Sequence, residues 1–399
     1  MEPIRATLDH CVKCTICETA CPFSQATVLF PGPKFVGPQA ERFRVAGVSP
    51  DASVDYCSGC GICTQVCPQD VKIAEINSQA RAAMWEERGI PLRNQLLARP
   101  SVTGRIGSRV ATLANLTLAS RTVRRLLEPT LGIHRDAPLP SFAGGTFQRW
   151  VRRHPEAIAN RTVAYFHGCS TNYYEPGVGR MVVSVLEHNG FRVAVPRQDC
   201  CGLPLQSNGN FDAARKYVRR LARALAPYAR AGVPIVTNST SCGLMLKREA
   251  YEILEVDDEE VRLVGEHTYD LCEFLLGLHD RGELRMDFEP LALTVPYHAP
   301  CQQRGHGIGK PALDLLALVP DLRVVEVDAD CCGIAGTYGL KREKYEISMK
   351  VGEEVFRQVA EARPDVAACD SETCRWQIAH ATGVAAVHPV ELLHRAYAL

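Results

Sequence analysis

Cys11-Val-Lys-Cys14-Thr-Ile-Cys17-Glu-Thr-Ala-Cys21-Pro22 and Cys57-Ser-Gly-Cys60-Gly-Ile-Cys63-Thr-Gln-Val-Cys67-Pro68 are two copies of one pattern, C-x2-C-x2-C-x3-C-P. Three thiolates at this spacing wrap three corners of a cubane iron–sulfur cluster, and the fourth, followed by proline, typically ligates the cluster of the other copy. The pattern therefore predicts one [4Fe-4S] cluster on Cys11, Cys14, Cys17 and Cys67, and a second on Cys57, Cys60, Cys63 and Cys21. The competing reading is zinc, but structural zinc sites pair two short ligand hairpins around one tetrahedral ion. Four cysteines packed this tightly, and then repeated, do not suit that geometry.

The rest of the composition sets the frame for these clusters. A chain of 399 residues is long enough for two or three domains with buried cores. Formal net charge is zero, so no whole-molecule field favours nucleic acid, and no nucleic-acid partner is expected. Eighteen cysteines would suit a disulfide scaffold only in a short secreted chain; here they cluster at metal-ligand spacings in a long one. Met1-Glu2-Pro3-Ile4-Arg5 lacks the apolar core of a signal peptide, and no uninterrupted apolar run approaches the length that crosses a bilayer. A reducing compartment, by default the cytoplasm, is expected.

Between the quartets, Phe30-Pro31-Gly32-Pro33-Lys34-Phe35-Val36-Gly37-Pro38 carries three prolines and two glycines in nine residues, which predicts a loop and excludes a helix. Short helices are expected around the quartets, with one from Val71 to Glu87, so residues 1–80 form a helical ferredoxin-type domain. From Arg81 to Arg153 every basic residue is arginine, and the acids are only Glu86, Glu87, Glu128 and Asp136. Ile106, Val110, Leu113, Leu116, Val123 and Leu127 follow a helical spacing within this segment, residues 81–158. A basic amphipathic helix of this kind lies in a membrane interface, or it docks its stripe on the protein's own core; both readings stand. The acidic run Glu252, Glu255, Asp257, Asp258, Glu259 and Glu260 reads as solvated surface, with a partner's docking face as the alternative.

After about residue 160 the chain turns α/β. Thr162 to Phe166, Val233 to Thr237, Leu291 to Tyr297 and Val366 to Cys369 suit buried strands, and Ala213 to Ala226 and Lys344 to Ala360 suit helices. An internal repeat organises this half. Tyr165-Phe166-His167-Gly168-Cys169 matches Tyr297-His298-Ala299-Pro300-Cys301, and Asp199-Cys200-Cys201-Gly202 matches Asp330-Cys331-Cys332-Gly333. Thr237 to Cys242 matches Cys369 to Cys374, and the three landmarks keep a spacing of 131 or 132 residues. Such constancy indicates duplication, with repeats at 159–286 and 287–399. The cysteines fall after strands, at the carboxyl edge where open α/β sheets bind ligands. One repeat gathers Cys169, Cys200, Cys201 and Cys242 as candidate metal ligands; the other gathers Cys301, Cys331, Cys332 and Cys374. Gly202 and Gly333 would let the backbone turn tightly beside the metal. His167 and His298 either ligate metal, hydrogen-bond a ligand, move protons, or are satisfied within a tight turn.

These repeats resemble the cysteine-rich CCG domains of heterodisulfide reductases and of glycolate or lactate dehydrogenase iron–sulfur subunits. The family pattern is Cys, then Cys-Cys-Gly, then Cys-x-x-Cys, and in some members it holds a non-cubane [4Fe-4S] cluster. Ser239 and Ser371 stand where the first Cys of each terminal pair would be, and Cys369 lies two residues from Ser371. A conventional cubane, another metal centre or a vestigial site each fit the remaining thiolates. Over the full length, the quartets, Pro31-Gly32-Pro33-Lys34, Gly37-Pro38 to Glu41-Arg42, Gly145 to Trp150, Phe166 to Cys169, Cys331 to Gly339 and Cys374 to Gln377 resemble the iron–sulfur subunits of anaerobic glycerol-3-phosphate dehydrogenases.

That resemblance implies an α+β multidomain chain, a helical ferredoxin domain with two [4Fe-4S] clusters followed by two CCG domains. It implies an electron-transfer subunit working with a flavoprotein dehydrogenase, delivering electrons to membrane quinone. It also implies a cytoplasmic protein held peripherally on the inner face of the cell membrane. The alternatives are an iron–sulfur subunit of a glycolate or lactate oxidase, and a thiol/disulfide reductase of heterodisulfide-reductase type. No G-x-G-x-x-G follows a strand, so substrate oxidation is expected on partner subunits.

Overall fold

Past its first two residues, Arg161–Phe166 (β1) buries every side chain, as a strand must when helices cover both faces of a parallel sheet. Phe191–Ala194 (β2), Ile235–Thr237 (β3) and Thr268–Asp270 (β4) complete a four-stranded parallel sheet in the order β2-β1-β3-β4. Thr294–Tyr297 (β5), Arg323–Glu326 (β6), Ala367–Ala368 (β7) and Ala386–Val387 (β8) repeat it as β6-β5-β7-β8. The registers correspond: Tyr165 sits opposite Val236, and its repeat partner Tyr297 sits opposite Ala368. Crossovers are helical. Phe211–Arg230 buries Ala214, Val218, Leu221, Ala222 and Leu225 at three-to-four spacing, and the Asn210 side chain caps its start. One hydrophobic core joins the sheets, running from Tyr165, Leu186 and Val236 to Val295, Tyr297 and Leu393. The repeats are therefore one packed body.

The computed structural model describes residues 2–44 and 51–399; Met1, where the signal-peptide reading begins, lies outside them. Short helices Ile16–Thr19 and Ile62–Gln65 follow equivalent cysteines of the two quartets, and the long helix Ile73–Arg88 braces both. Its buried polar residues do this work: Glu75 accepts from Thr64 Oγ1 at 2.7 Å, and Arg81 Nη1 donates to the Cys57 carbonyl at 2.6 Å. The proline-rich connection differs from expectation, because Phe35–Gln39 forms a helical turn of π type. Proline is excluded from helix interiors by its missing N–H and its clash with the preceding turn. A widened turn and the kink at Gly37 (φ −95°, ψ −107°) relieve both at Pro38. Val36, Gly37 and Pro38 are consequently buried.

The basic segment bears on the two readings of its stripe. Its apolar stripe falls on three helices, Pro100–Arg109, Ala111–Ala119 and Arg121–Leu131, broken near Val110 and at Ser120. Ile106, Val110, Leu113 and Leu116 are each at least half exposed, so this part of the stripe is not docked on the protein's own core. Small residues take that role instead: Ser101, Gly104, Gly107 and Ser108 face inward. A methyl on Gly104 would stand 2.6 Å from the Tyr173 ring, and one on Gly107 would collide with Phe142. The backbone packs closely, and the large side chains are left outside. Among the described residues no helix is long and apolar enough to cross a membrane.

Candidate metal centres

The two quartets interleave. Cys21 lines one cavity with Cys57, Cys60 and Cys63; Cys67 lines the other with Cys11, Cys14 and Cys17. Two positive-φ residues in each loop turn the thiols toward one point: Lys13 (59°) and Thr15 (71°) in the first, Gly59 (75°) and Gly61 (83°) in the second. A side chain in the left-handed region costs about 1 to 2 kcal/mol, so Lys13 and Thr15 hold strain that only the surrounding site sustains. Burial and then Glu18 push the Cys17 thiol up to about 11, and burial likewise raises Cys60 and Cys63. Thiols crowded by other thiols need bound cations to ionise together, and iron binding displaces their protons. Four sulfur donors around each cavity fit a [4Fe-4S] cluster.

The second cavity is roofed by the second repeat. Cys21, Cys57, Phe23 and Phe30 share a buried cluster with Cys331, Tyr338 and Ile347, and Cys301 packs against it. Phe23 meets Tyr338 edge-on at 5.0 Å. Lys344, buried, donates from Nζ to Asp55 Oδ2 at 2.5 Å and to the Asp55 carbonyl at 2.6 Å. Cys14, in contrast, is exposed, so the first cavity opens toward solvent.

In the repeats, thiols gather at the carboxyl ends of β1 and β3, and of β5 and β7, the switch points of the two sheets. Cys169 Sγ lies 3.9 Å from Cys200 Sγ, and the Gly202 N–H points at Cys200 Sγ (3.4 Å). Thiol donors Cys169 and Cys201 hold Cys200 well below the usual thiol range. In the second repeat the Gly333 N–H points at Cys331 Sγ (3.3 Å). There the favoured thiolate is Cys374, held low by Cys332 and then Cys369. Gly333 has φ +85°, and a methyl on it would run into the Ser348 carbonyl, so no other residue fits that turn.

Residues 7–71 match the 4Fe-4S dicluster domain family, and residues 163–247 and 295–379 each match the cysteine-rich domain family. Over 397 residues, 98% of this chain and 99% of the relative, the sequence is 38% identical to the C-subunit of anaerobic glycerol-3-phosphate dehydrogenase from Escherichia coli (strain K12). The chain belongs to that C-subunit family. It is also similar to the B-subunit of fumarate reductase (CoM/CoB) from Methanothermobacter marburgensis, 27% identical over 93% of this chain and 67% of the relative. Lactate utilization protein A 1 of Bacillus mycoides is 30% identical over 50% of this chain and 80% of its own.

Within this member of the C-subunit family, one group left open by the sequence is placed, and two others escaped sequence reasoning. Cys369 reaches the second-repeat thiols beside Cys374, which leaves five cysteines there against four in the first repeat. Ser239, at the position of a family cysteine, donates to Glu372 Oε2 at 3.2 Å, while Ser170 donates to Glu372 Oε1 at 2.9 Å. A carboxylate from the second repeat thus engages the serine that stands at the first repeat's missing-thiol position. The third is the Asp55–Lys344 pair, which no local pattern marks. Of the two histidines, His167 is satisfied within its turn: Nδ1 donates to the Gly168 carbonyl at 2.6 Å and Gln148 Nε2 approaches Nε2 at 3.4 Å. Burial holds it neutral, with its pKa near 4.

Proposed function

We propose that this chain is the electron-carrying iron–sulfur subunit of an anaerobic glycerol-3-phosphate dehydrogenase complex, taking electrons from a flavin-bearing partner and passing them toward membrane quinone. The observation that carries the reading is the packing of Cys21 and Cys57 in one buried cluster with Cys331, and with Cys301 against it, which sets the second quartet against the second repeat. We assign Cys11, Cys14, Cys17 and Cys67 to one cluster and Cys57, Cys60, Cys63 and Cys21 to the other. Bound there, the clusters would supply one-electron transfer. The protein's own groups do the rest. Arg81 fixes the Cys57 carbonyl, backbone N–H groups at Gly202 and Gly333 favour sulfur bearing more charge, and Phe23, Phe30 and Tyr338 exclude water. A heterodisulfide-type reductase is the weaker reading, because Ser239 is already engaged by Glu372 and offers no thiolate. The test mixes the anaerobic chain with the flavoprotein subunits and glycerol-3-phosphate. Visible cluster absorbance should bleach only when both are present; bleaching by glycolate or lactate through their own flavoproteins would sink the assignment.

The exposed Ile106, Val110, Leu113 and Leu116, beside Arg105, Arg109, Arg121 and Arg125, support peripheral attachment to the inner face of the cell membrane. Burying a leucine side chain contributes about 1.5 to 3 kcal/mol, so Leu113→Glu with Leu116→Glu should lower partition onto anionic vesicles by on the order of a hundredfold. Unchanged co-sedimentation would assign the stripe to a partner protein instead.

A further inference from the structure

His298 follows β5 as His167 follows β1, but the two side chains meet different surroundings. His298 is 1% exposed, and its ring nitrogens have no nitrogen or oxygen partner in the protein; what the ring faces is the Cys374 thiol. Buried polar groups are almost always paired, and leaving one unpaired costs about 1 to 3 kcal/mol. A ring nitrogen of His298, Cys332 Sγ and Cys374 Sγ all lie within 4.8 Å of one another. Cys369 stands beside Cys374, whereas Ser371 lies near Thr373, its Oγ 3.4 Å from Thr373 Oγ1. A buried imidazole whose polar neighbours are thiols has the chemistry of a ligand awaiting its metal.

We propose that His298 is a nitrogen ligand of an iron–sulfur centre in the second repeat, alongside Cys332, Cys369 and Cys374, in the place of the thiolate that Ser371 cannot supply. The first repeat has no such ligand, since both nitrogens of His167 are taken by Gly168 and Gln148. A neutral imidazole in place of an anionic thiolate makes a centre less negative and raises its potential, as in Rieske clusters. The second repeat, packed against Cys21 and Cys57, would then draw electrons out of the quartets.

The proposal rests on the reading that the second repeat holds metal, and the experiment separates the two. Full-length chain labelled with [15N]histidine is purified anaerobically, its iron counted, and its paramagnetic centres probed by pulsed electron paramagnetic resonance over a redox titration. Two cubanes account for about eight irons. The wild type should exceed that count and show a strongly coupled histidine nitrogen. His298→Ala should lose both the excess iron and the coupling while keeping the iron of the quartets. His298→Cys should regain the iron without the coupling, and His167→Ala should retain both. A wild-type count of only about eight would overturn the metal reading and the proposal with it. Excess iron with no histidine coupling in any redox state, or excess iron undiminished in His298→Ala, would overturn His298 alone.

Discussion

Cys21→Ser should abolish the cluster held by the second quartet and spare that of its own quartet. Cys21 lies in the first motif, yet it lines a cavity with Cys57, Cys60 and Cys63. Serine keeps the volume but removes the thiolate that iron needs, so the iron count should fall by about four atoms of the quartets' eight. The reciprocal change, Cys67→Ser, should remove the cluster that Cys11, Cys14 and Cys17 share. The electron paramagnetic resonance spectrum of Cys21→Ser should therefore match that of Cys60→Ser. If it matches Cys14→Ser instead, the interleaving is wrong. Electron delivery should suffer more from losing Cys21 than its position in the chain suggests, because the cavity it serves is the one that adjoins the second repeat.

Lys344→Met should detach the two halves of the molecule and cost about 3 to 5 kcal/mol, the usual penalty for stranding a buried charge. Burial alone would raise the Asp55 carboxyl, but Lys344 and then Lys341 overcome it and hold the pKa at about 2. The sign follows. A depressed carboxyl contributes stability that is complete above its ordinary 3.8 and is lost only as pH falls toward about 2. Measurements at neutral pH therefore carry the full effect. Lys344 also lies over the rings of Tyr338 and Tyr56, at 4.9 and 5.3 Å, so its loss loosens packing on both sides. Pairing Lys344→Met with Asp55→Asn should recover most of the loss, since no charge then remains stranded. Thermal unfolding and limited proteolysis between the quartets and the repeats would read both variants. Unaltered stability in the single variant would mean that the aromatic contacts alone hold the joint.

The quartets, the duplication and the helix Phe211–Arg230 were legible in the sequence because each is set by spacing along the chain. Cysteines that share a cluster must recur at fixed intervals, and a helix of this length carries its own apolar period. All four edge strands, β2, β4, β6 and β8, were missed; each is two to four residues long, and β2, β6 and β8 are also half exposed, so no run of buried residues betrays them. Pro100–Arg109 misled in a different way. Its apolar residues mark a face, but Gly104 and Gly107 decide which face packs, because only a bare backbone fits against Tyr173 and Phe142. Glu372 and Lys344 act across long distances in sequence. Nothing near them in the chain states what they will meet.

The roof over the second quartet also imposes an order on biogenesis. Tyr338 and Lys344, which close over Cys21 and Cys57, leave the ribosome about 280 residues after Cys63, on the order of fifteen seconds to a minute at ordinary elongation rates. During that interval the nascent N-terminus stands open to whatever delivers iron and sulfide. Once the C-terminal half folds down, the same thiols lie beneath Tyr338 and Ile347, and a late cargo must first prise the halves apart. Cys14 remains exposed, so the first quartet can be refilled in the finished protein. Iron starvation during synthesis would then leave a lasting mark on one cluster and a reversible one on the other.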